Sequence, residues 1–279
     1  MLLHVKHALA QGYKYLCIQS LDTDVLVILL GVFHQLWADY SFNDLVLESR
    51  REKDTKRVGI KGLAERLGQP LCQALPFLHT LSGSDTTSAF RGKAKKTAVS
   101  VLKGFPDAIR VFGDLFHHPF QRIDENSDAF NVIQRFVILM YSRTSEFEKV
   151  NDARLDMFFK NTQDVQTIPP TSNALLQHTR RAIFQAGVWS RCLEPQQNLP
   201  SPEEFGWKKT SHTSSVTPAR GTMPMWEPVW HTNGEATKEI RELIKCACTA
   251  DCVRCKCAKS NLRCTLLCKC SCGNKYSFA

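Results

Sequence analysis

Long hydrophobic runs are missing from this chain of 279 residues. The longest apolar run, Val25 to Phe33, is much shorter than the roughly 20 residues that a membrane-spanning helix needs. The N-terminus has no apolar signal-peptide core, because His4, Lys6 and His7 lie in its first turns. No phosphate-loop or dinucleotide-binding fingerprint occurs. We therefore expect a protein of the cell interior with no membrane partner, where thiols stay reduced.

Acidic residues are in the minority. The chain has 36 Lys+Arg against 27 Asp+Glu, a formal net charge of +9 and a pI near 9.0. Hydrophobic residues make up 43% and charged residues 23%, which is ordinary globular composition and excludes a wholly disordered chain. The length suits one large domain or two modest ones. The positive charge favours a polyanionic partner, most simply nucleic acid.

Cysteine is scarce over most of the chain and concentrated near its C-terminal end. Cys17, Cys72 and Cys192 stand alone, and we expect them to be small core residues. The other nine cysteines lie within the 27 residues from 246 to 272. They are Cys246, Cys248, Cys252, Cys255, Cys257, Cys264, Cys268, Cys270 and Cys272.

This cysteine-rich tail has too few apolar residues to fold by burial and needs a metal or covalent framework. Three tetrahedral zinc ions need twelve bonds, which nine thiolates supply if six are terminal and three bridge two metals. Disulfides are the alternative, but a reducing compartment disfavours them, and nine cysteines cannot all pair within the tail. The sequence therefore predicts a structural cluster of about three Zn²⁺.

The alternating Cys-x-Cys pairs with basic spacers resemble a tesmin-type CXC domain and the nine-cysteine pre-SET cluster, over residues 245–274. The resemblance implies DNA binding, in which Arg254, Lys256 and Arg263 would contact the phosphates. The charge of the tail agrees, since residues 241–279 hold eight Lys+Arg and two Asp+Glu. The alternative is a structural or protein-docking zinc knot that touches no nucleic acid.

Hydrophobic spacing predicts a small α/β region followed by helices. We expect a helix at Leu2–Ala10, a strand at Tyr15–Ser20, an apolar helix at Val25–Leu36 and a polar loop at Glu48–Lys61. Further helices are predicted at 62–67, 70–81, 130–141, 150–159 and 172–186, the last of which would stop at Gly187. Another helix is predicted after the basic residues that end at Lys96, and it would run through Leu102. Residues 195–228 have the composition of a linker, which we expect to be partly pinned to the helices by its tryptophans.

Two acidic motifs flank the predicted helices. Ser20-Leu21-Asp22-Thr23-Asp24 stands where the first strand ends, and Gly83-Ser84-Asp85 follows the helix at 70–81. Taken singly, each motif also fits a helix cap or an ordinary turn. A basic hairpin-like segment, Arg91 to Lys96, comes next. Residues 91–103 carry five basic groups and no acid, namely Arg91, Lys93, Lys95, Lys96 and Lys103.

This order of parts resembles the flap-endonuclease branch of the PIN-domain nucleases. The resemblance implies that Asp22, Asp24 and Asp85 are catalytic and bind Mg²⁺ or Mn²⁺. Two such ions about 4 Å apart polarise the phosphate and activate water. The resemblance also implies that the hairpin grips a nucleic-acid backbone, with DNA favoured over RNA. Its contact residues would be Lys93, Lys95 and Lys96.

The chain departs from that family in two places. Ala94 stands where the hairpin of the family has its second glycine, and residues 2–11 contain no Asp or Glu although the family has acidic residues there. The chain thus looks truncated at its N-terminus, and we expect a weak or inactive nuclease. Segments 75–77, 83–90 and 175–179 also resemble a large group of animal proteins that join a longer PIN-like region to a CXC tail, a resemblance that implies no settled activity.

We therefore expect four segments in an α/β protein with a partial, PIN-like fragment of parallel sheet. They are a partial PIN/flap-endonuclease-like domain at 1–110, a helical extension at 111–192, a Pro/Ser/Trp linker at 193–240 and a CXC-type zinc module at 241–279. The expected function is zinc and nucleic-acid binding, in the nucleus rather than the cytoplasm. The alternative is a non-catalytic chromatin or DNA-binding adaptor with a vestigial acidic trio.

Overall fold

The computed structural model describes residues 1–51, 54–161, 167–210 and 225–232. In these ranges the fold is mixed α/β, and the described residues up to His231 belong to one compact unit. The helices are α1 (Leu2–Ala10), α2 (Thr23–Tyr40), α3 (Ile60–Leu67), α4 (Gln69–Leu81), α5 (Lys95–Lys103), α6 (Pro106–His117), α7 (Asp128–Tyr141), α8 (Val150–Asn161) and α9 (Ser172–Ser190). The strands are β1 (Tyr15–Gln19), β2 (Asp44–Arg51), β3 (Asp54–Gly59), β4 (Trp207–Lys209) and β5 (Trp226–Pro228).

Two expectations depend on which residues the structure describes. The nine cysteines of the tail lie outside the described residues, so the zinc cluster stays a prediction. None of the helices within the described ranges is long and apolar enough to cross a bilayer.

The larger sheet is mixed rather than parallel. β1 pairs with β2 in parallel, so that Cys17 lies opposite Val46. β2 then pairs with β3 in the antiparallel direction, with Glu48 opposite Arg57. The predicted polar loop at 48–61 was therefore wrong. Opposite charges facing each other across two strands stabilise a charged hairpin, a pairing that a search for apolar alternation does not detect.

Glu48 shows how this charged pairing works. Its side chain is 7% exposed; Oε2 accepts a hydrogen bond from Arg57 Nε at 2.7 Å, and Oε1 accepts one from Gln19 Nε2 at 2.9 Å. The hydrogen bonds from Arg57 and Gln19 lower the pKa of Glu48. The carboxylate thus joins all three strands of the sheet.

The three isolated cysteines have different environments. Cys72 is fully buried in α4 and Cys192 is partly buried after α9, and burial raises the pKa of the two thiols to about 11 and about 12. Cys17 is exposed, so its assignment to the core was wrong. In β1 the residues Leu16 and Ile18 point inward, and Cys17 belongs to the opposite face of the strand.

The helical core is built around α4. Nine of the thirteen residues of α4 are buried, because α2, α6 and α9 all pack against it. The ring of Phe77 in α4 meets Phe112 of α6 edge to face at 4.9 Å, and Phe112 meets Phe136 of α7 in the same way at 5.0 Å. Such aromatic pairs add to the stabilisation that area burial gives.

Two features of the helical region differ from the sequence expectation. No separate helix was predicted at α6, although its second half falls in the expected helical extension, and Pro106 at its start with buried Ala108, Val111 and Phe112 follows the helical pattern. This helix also crosses the expected segment boundary at 110–111. Helix α9 continues through Gly187 to Ser190 instead of stopping. A Cβ atom at Gly187 would lie 2.6 Å from Phe120 Cε1, so the glycine serves close packing rather than helix termination.

The described parts of the expected linker are attached to the helices, as predicted. Ser201 caps a 3₁₀ helix at Pro202–Phe205, and the side chain of Phe205 is buried. The backbone oxygens of Gly206 and Val229 both accept hydrogen bonds from Arg181 in α9. The attachment therefore uses a buried arginine as well as the tryptophans.

Gly31 sets the distance between α2 and the helices beneath it. A Cβ atom there would lie 2.5 Å from Pro76 Cγ and 2.9 Å from Phe116 Cε1. We expect Gly31→Ala to lower the free energy of unfolding by about 1–3 kcal/mol, because the overpacking outweighs the better helix propensity of alanine. Gly62→Ala is the matched control, since Gly62 lies in α3 with nothing within 4 Å of its Cβ position. Urea unfolding of both variants measures the difference, and equal stabilities would contradict the packing argument.

Candidate functional site

Asp22 is the N-cap of α2, directly after β1. Its Oδ1 accepts a hydrogen bond from the backbone N–H of Asp24 at 2.9 Å. The backbone N–H of Asp22 in turn donates to Ser20 Oγ at 3.1 Å. A cap of this kind contributes about 1 kcal/mol to helix stability. Asp22 therefore has a structural role in beginning α2.

Asp24 is paired with His79, which lies in α4. Asp24 Oδ1 is 2.7 Å from His79 Nε2, and the two side chains are 18% and 9% exposed. Burial and the positive charge of Lys95 lower the pKa of His79, although Asp24 opposes the change. The imidazole is thus neutral at neutral pH, and its Nε2–H donates to the carboxylate. Sequence analysis did not identify His79 as a partner.

Lys95 closes this cluster from the first turn of α5. Its Nζ donates to the backbone oxygen of His79 at 3.1 Å, to Ser82 Oγ at 3.4 Å and to the backbone oxygen of Gly83. Burial lowers the pKa of Lys95, and the charge of Asp24 opposes the change. An ammonium group has three donors, so the three acceptors at the end of α4 occupy all of them. In this conformation Lys95 has no donor left for a phosphate.

Asp85 lies in a short turn after α4, between Ser84 and Thr87. Thr87 Oγ1 accepts a hydrogen bond from the backbone N–H of Ser84 at 3.1 Å and donates to the backbone oxygen of Thr80 at 2.5 Å. Gly83 has φ +114°, and a Cβ atom there would lie 2.8 Å from Ala89 Cα, so this turn requires glycine. Asp85 itself is exposed.

A shared metal site has no support in the described residues. Within them, no group of three or more His, Cys, Asp or Glu side chains is arranged to hold a metal ion. A further carboxylate, Glu48, lies in β2 opposite Gln19 at the end of β1, but both of its oxygens accept hydrogen bonds. Binding of Mg²⁺ or Mn²⁺ by Asp22, Asp24 and Asp85 therefore stays a prediction.

The basic segment is not a hairpin. Arg91 and Gly92 form a turn, and α5 begins at Lys95 with Ala94 as its N-cap residue. Arg91 and Lys96 are exposed, and Lys93 Nζ stands 4.5 Å from the centre of the Tyr141 ring. We call Arg91, Lys93 and Lys96 the basic strip. The first turn of α5 contains no acidic residue, so nothing there offsets the positive end of the helix dipole.

Comparison with family models, with curated proteins and with solved structures gave no match for this chain. The resemblances to PIN-domain nucleases and to CXC domains thus rest on the motifs themselves. The structure shows that Asp22 caps α2, that Asp24 pairs with His79 and that Lys95 donates to the end of α4. It also defines the basic strip. Arg254, Lys256 and Arg263 lie outside the described residues.

The pairing of Asp24 with His79 predicts that Asp24 supports the fold. In Asp24→Ala, the buried imidazole N–H of His79 loses its acceptor, and we expect the free energy of unfolding to fall by about 1–3 kcal/mol. Asp85→Ala is the matched control, because removal of an exposed carboxylate changes stability by no more than about 0.5 kcal/mol. Denaturant unfolding of the two variants measures the contrast. Similar stabilities would show that the Asp24–His79 contact contributes little.

Proposed function

We propose that this chain is a zinc- and nucleic-acid-binding protein that cleaves its partner very slowly or not at all. The observation that carries the binding part is the basic strip, whose side chains make no ion pair with any described residue. Unpaired cations at the positive end of a helix attract phosphates. DNA is the favoured partner and the nucleus the favoured location, both from the CXC resemblance.

The arrangement suits the nucleic-acid backbone rather than the bases. Lys96 projects from the first turn of α5, and Arg91 stands in the turn before it, so the two charges lie at the start of a helix and not along a helix or strand that would read the bases. Contacts with phosphates fix the position of a protein on the nucleic acid, and their affinity depends on the salt concentration. They carry no information about base sequence. In this proposal the basic residues of the cysteine-rich tail add a second set of phosphate contacts.

The contacts of the carboxylates favour the non-catalytic adaptor over the nuclease. Two-metal hydrolysis needs several carboxylate oxygens free to bind both ions. Asp22 Oδ1 is used as a helix cap and Asp24 Oδ1 by His79. Mg²⁺ demands near-octahedral oxygen coordination. The Oδ2 atoms of Asp22 and Asp24 and the carboxylate of Asp85 would supply at best part of it.

The salt dependence of DNA binding tests the basic strip. Each phosphate that a protein neutralises adds about 0.9 to the slope of log affinity against log salt concentration. We expect Lys96→Gln to reduce this slope by about 0.9 for duplex DNA, measured by fluorescence anisotropy on the full chain. Arg66→Gln in α3 is the control, because it removes one exposed charge outside the strip. Equal slopes in both variants would refute binding through the strip.

Zinc content tests the tail. We expect the purified chain to carry close to three Zn²⁺, since nine thiolates satisfy three tetrahedral ions only by sharing sulfur atoms. Native mass spectrometry counts the ions directly. A metal-free tail with disulfide bonds would show that the zinc proposal is wrong.

A digestion assay with Mg²⁺ or Mn²⁺ tests the catalytic part. We expect very slow cleavage or none, because loss of one ion costs several kcal/mol of transition-state stabilisation, or several powers of ten in rate. Asp85→Asn is the informative variant, since Asp85 is exposed and its change leaves the Asp24–His79 contact in place. Rapid cleavage by the unaltered chain that disappears in Asp85→Asn would identify a complete catalytic site.

A further inference from the structure

A cavity of about 410 Å³ lies beside α9, and neither Asp24 nor His79 lines it. Its walls come from the turn that contains Arg91, from α7, α8 and α9, and from Trp230 and His231. Three arginines line it, Arg91, Arg154 and Arg181, and no Asp or Glu does. This size is in the range of small-molecule sites, which are about 300–1,000 Å³.

The three guanidinium groups have no carboxylate partner among the described residues. Arg181 is 3% exposed and donates from one terminal nitrogen to the backbone oxygens of Gly206, at 3.2 Å, and Val229, at 2.5 Å. Arg154 donates to the backbone oxygen of Pro169. Burial lowers the pKa of Arg154, and it lowers that of Arg181 to about 10, so both groups remain charged at neutral pH.

Most of the N–H donors of these arginines are not used by the residues that the structure describes. Each guanidinium has five N–H donors in a planar fork that fits two oxygens of a phosphate at once. Among the described residues, Arg91 makes no hydrogen bond, and Arg154 and Arg181 each donate to backbone oxygens from one nitrogen. Positive charge that is partly buried without a counter-charge is costly, and a bound anion would reduce that cost.

Aromatic rings form another part of the lining. Trp230 is 59% exposed, and its ring lies 5.4 Å from the guanidinium carbon of Arg181. The ring of Tyr141 also lines the cavity and carries Lys93 Nζ over one face. Exposed aromatic faces near cations are surfaces on which nucleic-acid bases stack. The cavity thus combines a place for a phosphate with a place for a planar ring.

His178 adds no charge to this lining. Its Nε2–H donates to the backbone oxygen of Leu81 at 2.8 Å, and burial lowers its pKa to about 4. The imidazole of His178 is therefore neutral at physiological pH and adds nothing to the positive charge of the three arginines. This arrangement favours an anion over a cation or a neutral ligand.

We propose that this cavity binds a nucleoside phosphate, with the phosphate held by Arg91 and Arg154 and the base placed against Trp230. The inference goes beyond the backbone contacts of the proposed function; the two share Arg91, but the cavity can bind a nucleotide whether or not the basic strip binds DNA. The same chemistry occurs in a free mononucleotide and at the 5′-phosphorylated end of a strand.

Isothermal titration calorimetry on the full chain tests the proposal with adenosine 5′-monophosphate as the probe. We expect this nucleotide to bind at least about tenfold more tightly than adenosine or inorganic phosphate alone, since each lacks one of the two groups recognised. Arg91→Gln should weaken binding about tenfold, and Trp230→Leu should weaken it by a similar factor. Both side chains are exposed, so the fold should tolerate either change.

Arg66→Gln is the matched control and should bind the nucleotide like the unaltered chain. Absence of binding at millimolar nucleotide, equal binding of adenosine, or equal affinity in Arg91→Gln and Arg66→Gln would each overturn the proposal. If 5′-phosphorylated oligonucleotides compete with the nucleotide and 5′-hydroxyl oligonucleotides do not, the site binds strand ends. If neither oligonucleotide competes, the site binds free nucleotides. Both results support nucleotide binding. Lys96→Gln separates the two proposals, because it should weaken DNA binding and leave nucleotide binding unchanged.

Discussion

The packing of α4 between α2, α6 and α9 is the interaction on which the rest of the described structure depends. Gly31 allows α2 to approach Pro76, and the ring of Phe77 meets α6. Because α4 is buried on most of its surface, its C-terminal end is held in a defined position. That end supplies His79 to Asp24 on one side and the backbone oxygen of Leu81 to His178 on the other. The Asp24–His79 pair and the arginine cavity are thus both anchored to one helix.

The Asp24–His79 pair and the arginine cavity differ in how their charges are compensated. At the start of α2, Asp24 has a histidine partner, and Lys95 gives its donors to the oxygens at the end of α4. In the cavity, none of the three arginines has a carboxylate partner among the residues described, and Arg181 donates to the backbone oxygens of Gly206 and Val229. A satisfied cluster stabilises a fold, whereas uncompensated charge favours a ligand. This contrast is why we place ligand binding at the basic surfaces and not at the aspartates.

Much of the helical architecture could be predicted from the sequence, because apolar residues at three- and four-residue spacing are a local signal. Helices α1, α4, α7 and α8 begin and end close to their predicted limits. Charged β2 and β3 could not be found in this way, because Glu48 and Arg57 stabilise the strands only when they face each other. Gly187 was misjudged for a related reason, since the proximity of Phe120 that makes it a packing residue arises in the folded chain.

Residue type and local spacing alone account for the positive charge, the cysteine-rich tail, the apolar helices and the position of two aspartates just after a strand. Tertiary structure alone decided that Asp24 meets His79, 55 residues away, and that Lys95 closes α4. It also gathered Arg91, Arg154 and Arg181 around one cavity. Contacts between residues so far apart depend on how the helices pack, and local sequence patterns do not encode that packing.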